Sequence, residues 1–236
     1  MTELKNQTAL ITGASKGFGK SLALELAKEG CSLILTARDA SLLEEVASTC
    51  RELGCPQCEI LPGDITSRDF LTELTELGLA KKIDILVNNA GVVDIRPLDE
   101  VPHERIDTML ELNLAVPIHL TRSFLPLFKE RRSGTFLNVN STGGRRAVPE
   151  HTIYCATKHG LNGLFDTLRD EVAGYGIRIF NVCPGKMATN LFAAAGVEFD
   201  TSEFIPPDEM AATTVAILKM SPICSPTEFA VDRMKR

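Results

Sequence analysis

Short apolar runs alternate along this chain with longer stretches of helical period. That alternation builds a parallel sheet with helices packed on it, so the fold class is α/β. Thr8–Thr12, Ser32–Thr36, Glu59–Leu61, Ile83–Val87, Thr135–Val139, Ile177–Val182 and Glu228–Val231 read as strands. Helices are expected through Leu22, Leu24 and Leu26 to Gly30, and from about Ser41 to Leu53 with Asp39 or Ser41 as cap. Others run from His103 to Arg132, interrupted by Pro117 and Pro126, through Tyr154 to about Gly174, and from Asp208 to Met220. No repeat, low-complexity segment or linker divides the chain, which reads as one domain over residues 1–236.

In an open parallel sheet, ligands bind beyond the carboxyl ends of the strands, and the unusual residue clusters of this chain fall there. Gly13, Gly17 and Gly19 follow the first strand and open a helix. Their spacing, G-x-x-x-G-x-G, lets the backbone turn tightly and approach a pyrophosphate at the helix N-terminus, with a plain tight turn as the other reading. At the end of the second strand a carboxylate would hold the ribose hydroxyls of NAD, whereas a cation accommodates the 2′-phosphate of NADP. Arg38 stands there with Lys16 in the glycine loop, and Asp39 suits a helix cap, so the expected cofactor is NADP(H). A solvated loop cation is the other reading of Arg38.

Tyr154 and Lys158 lie four residues apart, on one face of a helix. At about 4 Å and an effective dielectric of about 20 their attraction is roughly 4 kcal/mol, which would bring the phenol from about 10 toward roughly 7. A phenol so placed is a proton donor for general acid catalysis; a helix with one aromatic and one solvated lysine is the other reading of the pair alone. Pro117 has no N–H for the carbonyl of Asn113, so that carbonyl is expected to be free to hold a water. A kink that serves packing alone is the other reading.

Thr12-Gly-x-x-x-Gly17-x-Gly19, Asn88-Asn-Ala-Gly91, Asn113, Ser141, Tyr154-x-x-x-Lys158 and Pro184-Gly185 follow one another as in the short-chain dehydrogenase/reductase family, which the chain resembles over residues 5 to 190. The resemblance implies a doubly wound, Rossmann-type parallel sheet of about seven strands with helices on both faces. It implies hydride transfer between a nicotinamide and a carbonyl or alcohol carbon. Tyr154 would be the general acid/base, Ser141 the donor to the substrate oxygen, and Lys158 the holder of the nicotinamide ribose. Asn113 would anchor a water linking Lys158 to solvent. The cofactor set carried over is Gly13, Ser15, Lys16, Gly17, Phe18, Gly19, Arg38, Asp64, Ile65, Asn89, Ala90, Gly91, Tyr154, Lys158, Pro184, Gly185, Met187 and Thr189. The expected substrate is a small ketone, aldehyde or 3-oxoacyl group, or the matching alcohol. A sensor of NADP(H) without turnover is the alternative, and the intact Ser141, Tyr154 and Lys158 argue against it.

Charge and composition narrow the rest. A net charge of −6 argues against nucleic-acid binding, and no apolar run approaches a membrane span. Met1–Gln7 has no signal-type segment, so a cytoplasmic protein is expected. The seven cysteines read as free thiols, Cys55-x-x-Cys58 included, and the four histidines show no metal spacing. Phe192, Phe199 and Phe204 follow Pro184-Gly185, where the family places a substrate lid; they fit a partly apolar substrate or packing anchors. Arg96, Arg145, Arg146 and Lys186 would attract an anionic substrate, with solvated loops as the other reading. A homodimer through the Asn113 and Tyr154 helices, or a homotetramer, is expected; the close at Val231–Arg236, without the family's glycine-rich end, puts the usual tetramer contacts in doubt.

Overall fold

Seven strands lie parallel in one sheet, in the order β3-β2-β1-β4-β5-β6-β7. They are β1 (Thr8–Thr12), β2 (Ser32–Ala37), β3 (Cys58–Pro62), β4 (Ile85–Asn88), β5 (Gly134–Val139), β6 (Ile177–Pro184) and β7 (Glu228–Val231). The structure is a computed structural model that describes residues 2–233. Met1 and Met234–Arg236, part of the expectations about the chain's two ends, lie outside the described residues.

The helices are α1 (Gly17–Lys28), α2 (Ala40–Glu52), α3 (Arg68–Ala80), α4 (His103–Leu110), α5 (Val116–Arg131), α6 (Thr152–Val172) and α7 (Pro207–Leu218). The period-two alternation of the strands sends neighbouring side chains to opposite faces. Ile11, Leu33, Leu35 and Val87 meet α1, α2 and α7 through Leu22, Val46 and Met210. Leu10, Ile34, Leu86 and Phe136 meet α3, α5 and α6 through Leu74, Phe124 and Phe165. Each such fully buried side chain contributes about 1.5–3 kcal/mol. The sheet is therefore covered on both faces, and its order turns at β1, leaving a crevice over the carboxyl ends of β1 and β4.

Two expectations about helices change. The stretch between β3 and β4, for which no element was expected, is α3: Ser67 caps it by accepting from Phe70 N, and Leu71 and Leu74 are buried. The long helix from His103 breaks once, not twice. Between α4 and α5 lies a π-helical turn, Glu111–Ala115, closed by Val116 N–H donating to Glu111 O. Pro117 then sits at the start of α5, where a missing N–H costs little. Pro126 does not interrupt α5; it and Arg122, four residues before it, are exposed, so solvent can take the bond that the ring denies.

Candidate active site

The glycine loop is shaped by side chains that are absent. Gly13 has φ +66°, and a Cβ there would stand 3.0 Å from Ala90 Cα and the Asn89 amide. A Cβ on Gly19 would overlap the Gly13 carbonyl oxygen and the Asn89 side chain. Asn89 Nδ2 donates to Thr12 O at 2.8 Å and Gly13 O at 3.1 Å, tying the loop to the end of β4. Thr12, absent from the expected site residues, completes the knot: its Oγ1 accepts from Asn89 N at 2.9 Å and Ala90 N at 3.0 Å. Its place between strand and glycine loop was the available signal. α1 starts at Gly17 with no side-chain cap and no acid in its first turn, so its leading N–H groups face the cleft free for an anion.

That cleft has a volume of about 840 Å³ and runs along the carboxyl ends of β1, β2, β4 and β5. It is lined by Gly13, Ser15, Lys16, Gly17, Phe18, Gly19, Arg38, Asp64, Ile65, Asn89, Ala90, Gly91, Tyr154, Lys158, Met187 and Thr189. Of the expected cofactor residues only Pro184 and Gly185 are elsewhere, lining a second cavity of about 230 Å³ with Ser141. Tyr154, Met187 and Thr189 line both, so the cavities adjoin at the phenol. Thr36, Thr66 and Arg105 in the cleft, and Val93 and Val148, carry no expectation from the sequence, whereas His151, three residues before Tyr154 and read there as a surface residue or a pocket one, lines the smaller cavity. Two carboxylates by the cleft are already committed. Asp39 accepts from Leu42 N at 3.1 Å as the cap of α2, and Asp64 accepts from Thr66 N at 3.0 Å. These bonds hold both carboxyls below their ordinary range: for Asp39 the Ser41 hydroxyl is the leading cause, for Asp64 the Thr66 amide.

At the other end Tyr154 and Lys158 are buried and Ser141 is half-buried. Ser141 follows β5, and its Oγ accepts from Gly143 N at 3.0 Å. Tyr154 and Lys158 lie one turn apart on α6, at 9% and 5% exposure. Lys158 Nζ donates to Val139 O at 2.8 Å and sits 5.7 Å from the centre of the Tyr154 ring. The expected fall of the phenol toward neutrality does not occur. Burial pushes Tyr154 up to about 12, against a smaller pull from its hydrogen bond with Ser141, and burial brings Lys158 down to about 8. The charged form of each is penalised because the side chain is buried.

Asn113 lies behind the cleft at 1% exposure. Its side chain accepts from Val92 N at 2.9 Å, donates to Val92 O at 2.8 Å and reaches Thr157 Oγ1 at 3.4 Å. It clamps the segment after β4 to α6, a role its free-carbonyl argument did not foresee. Of the four cations expected to include substrate contacts, Arg146 and Lys186 line the smaller cavity, and the three arginines pair with acids. Asp94 takes Arg96, Glu228 takes Arg145 at 2.9 Å and Asp232 takes Arg146 at 2.9 Å. Lys186 stands over Phe199 at 4.1 Å, within 6.0 Å of Phe192 and Phe204, rings that also pack on one another.

A family model described as short chain dehydrogenase matches residues 7–198. The chain belongs to the short-chain dehydrogenase family. This short-chain dehydrogenase is 38% identical over 195 residues to human dehydrogenase/reductase SDR family member 7, a match covering 80% of this chain and 58% of the human protein's length. It is 30% identical to an uncharacterized oxidoreductase of Staphylococcus saprophyticus, over 93% of this chain and 94% of the relative. Among solved structures, an alcohol dehydrogenase of Thermococcus sibiricus complexed with 5-hydroxy-NADP superposes with a TM-score of 0.88 at 27% identity, over 96% of each chain. Among the described residues of the dehydrogenase, no group of three His, Cys, Asp or Glu is placed to hold a metal ion, and no helix is long and apolar enough to cross a membrane. Cys58 is buried, its thiol pushed up to about 12 by hydrogen bonding with Cys50 ahead of burial, so it resists reaction as a thiolate.

Proposed function

We propose that this short-chain dehydrogenase interconverts a carbonyl and an alcohol with NADP(H), using Tyr154 as general acid/base. The observation that carries the reading is the meeting of two cavities at one buried phenol, with a glycine cradle on one side and Ser141 on the other. The residues fit the cofactor class: an uncapped helix start for the pyrophosphate, and Lys16 and Arg38 beside the strand end where a 2′-phosphate would lie. Asp39, the carboxylate that could hold NAD's ribose, is spent as a helix cap. The Thermococcus sibiricus relative, solved with 5-hydroxy-NADP, points the same way. When bound, the nicotinamide supplies or accepts the hydride.

The chain's own part is protonic. A phenol raised to about 12 is fully protonated near neutrality, the state needed to give a proton to a carbonyl oxygen. Ser141 orients that oxygen and donates to it. Lys158, at about 8, carries a charge that favours the phenolate left behind. Asn113 ties the segment after β4 to α6, and a water it anchors would use its main chain, because its side chain is engaged. The 230 Å³ cavity, below the ~300 Å³ of small ligand pockets, suits a compact ketone, aldehyde or 3-oxoacyl end. A homodimer through the Asn113 and Tyr154 helices is the assembly we infer, with Leu110 and Ile118 exposed on α4 and α5.

Thermal shift with NADPH and NADH, followed by a carbonyl panel read by NADPH oxidation, tests the reading. NADPH at about 100 times its Kd should add roughly 2.7 kcal/mol of stability, NADH at equal concentration less. A shift without turnover of any carbonyl or alcohol would leave a sensor and sink the enzyme.

A further inference from the structure

We propose that Asn140 and Asn162 are positioning residues that lock the Ser141 turn onto the turn of α6 carrying Lys158. The inference rests on the oxidoreductase reading. Asn140 is 2% exposed and stands between Val139, whose carbonyl receives Lys158 Nζ, and Ser141. Its Nδ2 donates to Asn162 Oδ1 at 2.6 Å and to the main-chain carbonyl of Lys158 at 3.1 Å. Asn162, one turn beyond Lys158, returns a bond: its Nδ2 donates to Gly144 O at 2.8 Å. Gly144 closes the turn whose Gly143 N–H holds Ser141 Oγ. A Cβ on Gly144 would lie 2.6 Å from Asn140 Oδ1 and 2.9 Å from the Lys158 carbonyl oxygen, so turn and helix are in direct contact there.

The pair also ends a longer chain of amides. Asn88, Asn138 and Asn181 stand opposite one another in register on β4, β5 and β6. Asn88 Nδ2 donates to Asn138 Oδ1 at 2.9 Å, Asn138 Nδ2 to Asn181 Oδ1 at 3.2 Å, and Asn181 Nδ2 to Asn162 Oδ1 at 3.4 Å. Asn162 Oδ1 therefore gathers donors from the sheet and from the Ser141 segment, and the sheet fixes where both halves of the site stand. Neither Asn140 nor Asn162 lines the two cavities, so their effect on chemistry passes through Ser141 and Lys158.

The test is steady-state kinetics on Asn162→Leu, a near-isostere without amide bonds, on Asn140→Ser, and on the double variant, with NADPH affinity measured separately. Misplacement of a reacting group by about 1 Å costs about 100-fold. We expect kcat to fall about 10- to 100-fold in each single variant while KM and NADPH Kd stay within about threefold. The double variant should be no slower than the slower single one, since the two act as a unit. If Asn162→Leu does not fold, Asn140→Ser decides by the same split. Folded variants with kcat within threefold of wild type, or with NADPH affinity falling in step with kcat, or losses that multiply, overturn the positioning role alone. A wild-type chain that binds NADPH yet turns over nothing overturns the oxidoreductase reading, and this role with it.

Discussion

The two ends of the cleft are built by opposite means. At the glycine-loop end the ligand surface is main chain, opened by missing side chains, and its cations Lys16 and Arg38 stay exposed to solvent. At the Tyr154 end the surface is a set of buried polar side chains held by other buried polar side chains: Lys158 at 5%, Asn140 at 2% and Asn113 at 1% exposure. Binding a polyanion needs donors and room, and water can stay nearby. Moving a proton needs groups whose charge states are tuned away from those in water, and here burial is the leading cause of that tuning. Perturbing one end should therefore leave the other's readout nearly intact.

The largest expected effect tests that independence. Tyr154→Phe removes one oxygen and keeps the ring that packs with Val93 and Met109. Turnover should fall by about 10²–10⁴-fold, while the NADPH-induced thermal shift keeps its wild-type size. Equal losses in both would mean that the phenol holds the cleft together, and the contrast would collapse.

Lys158→Met comes next, and its sign is opposite for activity and stability. Lys158 sits at about 8 in the folded chain against 10.5 as the ordinary value. Between those pH values the unfolded chain still holds the proton that the folded chain has released, so this group makes stability rise with pH across that window. Below pH 8 the fold carries the full cost of the buried ammonium, at most about 3 kcal/mol. Tyr154 acts the other way from pH 10 to about 12, where the folded chain keeps a proton that the unfolded one has lost, and stability falls with pH. Lys158→Met loses the bond to Val139 O but sheds the charge. It should lose turnover and gain about 1–3 kcal/mol at pH 7, the gain vanishing by pH 10.5. Denaturant unfolding at pH 7 and pH 10 checks it, and a less stable variant at pH 7 would show that the ammonium is paired better than its surroundings suggest.

The glycine-loop end was legible in the sequence because it depends on local facts. Gly13, Gly17 and Gly19 after an apolar run specify a turn wherever the rest of the chain goes. The strands were legible for a similar reason, since the alternation of Leu10 with Ile11, or Ile34 with Leu35, already divides them between two cores. The Tyr154 end was legible in which residues it brings together and not in its electrostatics. Spacing puts Tyr154 beside Lys158, but says nothing of how dry the place is, so the phenol was expected to fall and instead rises. The asparagine chain needs the register of Asn88, Asn138 and Asn181, residues 50 and 43 positions apart, and register is a property of the assembled sheet. α3 is legible too, since Ser67, Leu71 and Leu74 carry its cap and its apolar stripe, although no helix was expected there. Pro126 reads as a helix break from sequence because the exposure that makes it tolerable is tertiary.

The smallest effect sharpens the contrast at its most ambiguous pair. Arg38 and Asp39 are adjacent and exposed at the strand end where cofactor preference is set. The carboxylate accepts from Ser41 Oγ at 2.7 Å and Leu42 N at 3.1 Å, so it serves the start of α2. Asp39→Ala should therefore lower Tm slightly and leave the ratio of NADPH to NADH affinity within about twofold, because the removed group was spent on its own helix. Arg38→Ala should leave Tm unchanged and weaken NADPH about tenfold, within reach of one charge-assisted bond, with NADH unaffected. Should Asp39→Ala move the ratio and Arg38→Ala not, the carboxylate reads the ribose despite its bonds to α2, and the exposed cation is a bystander.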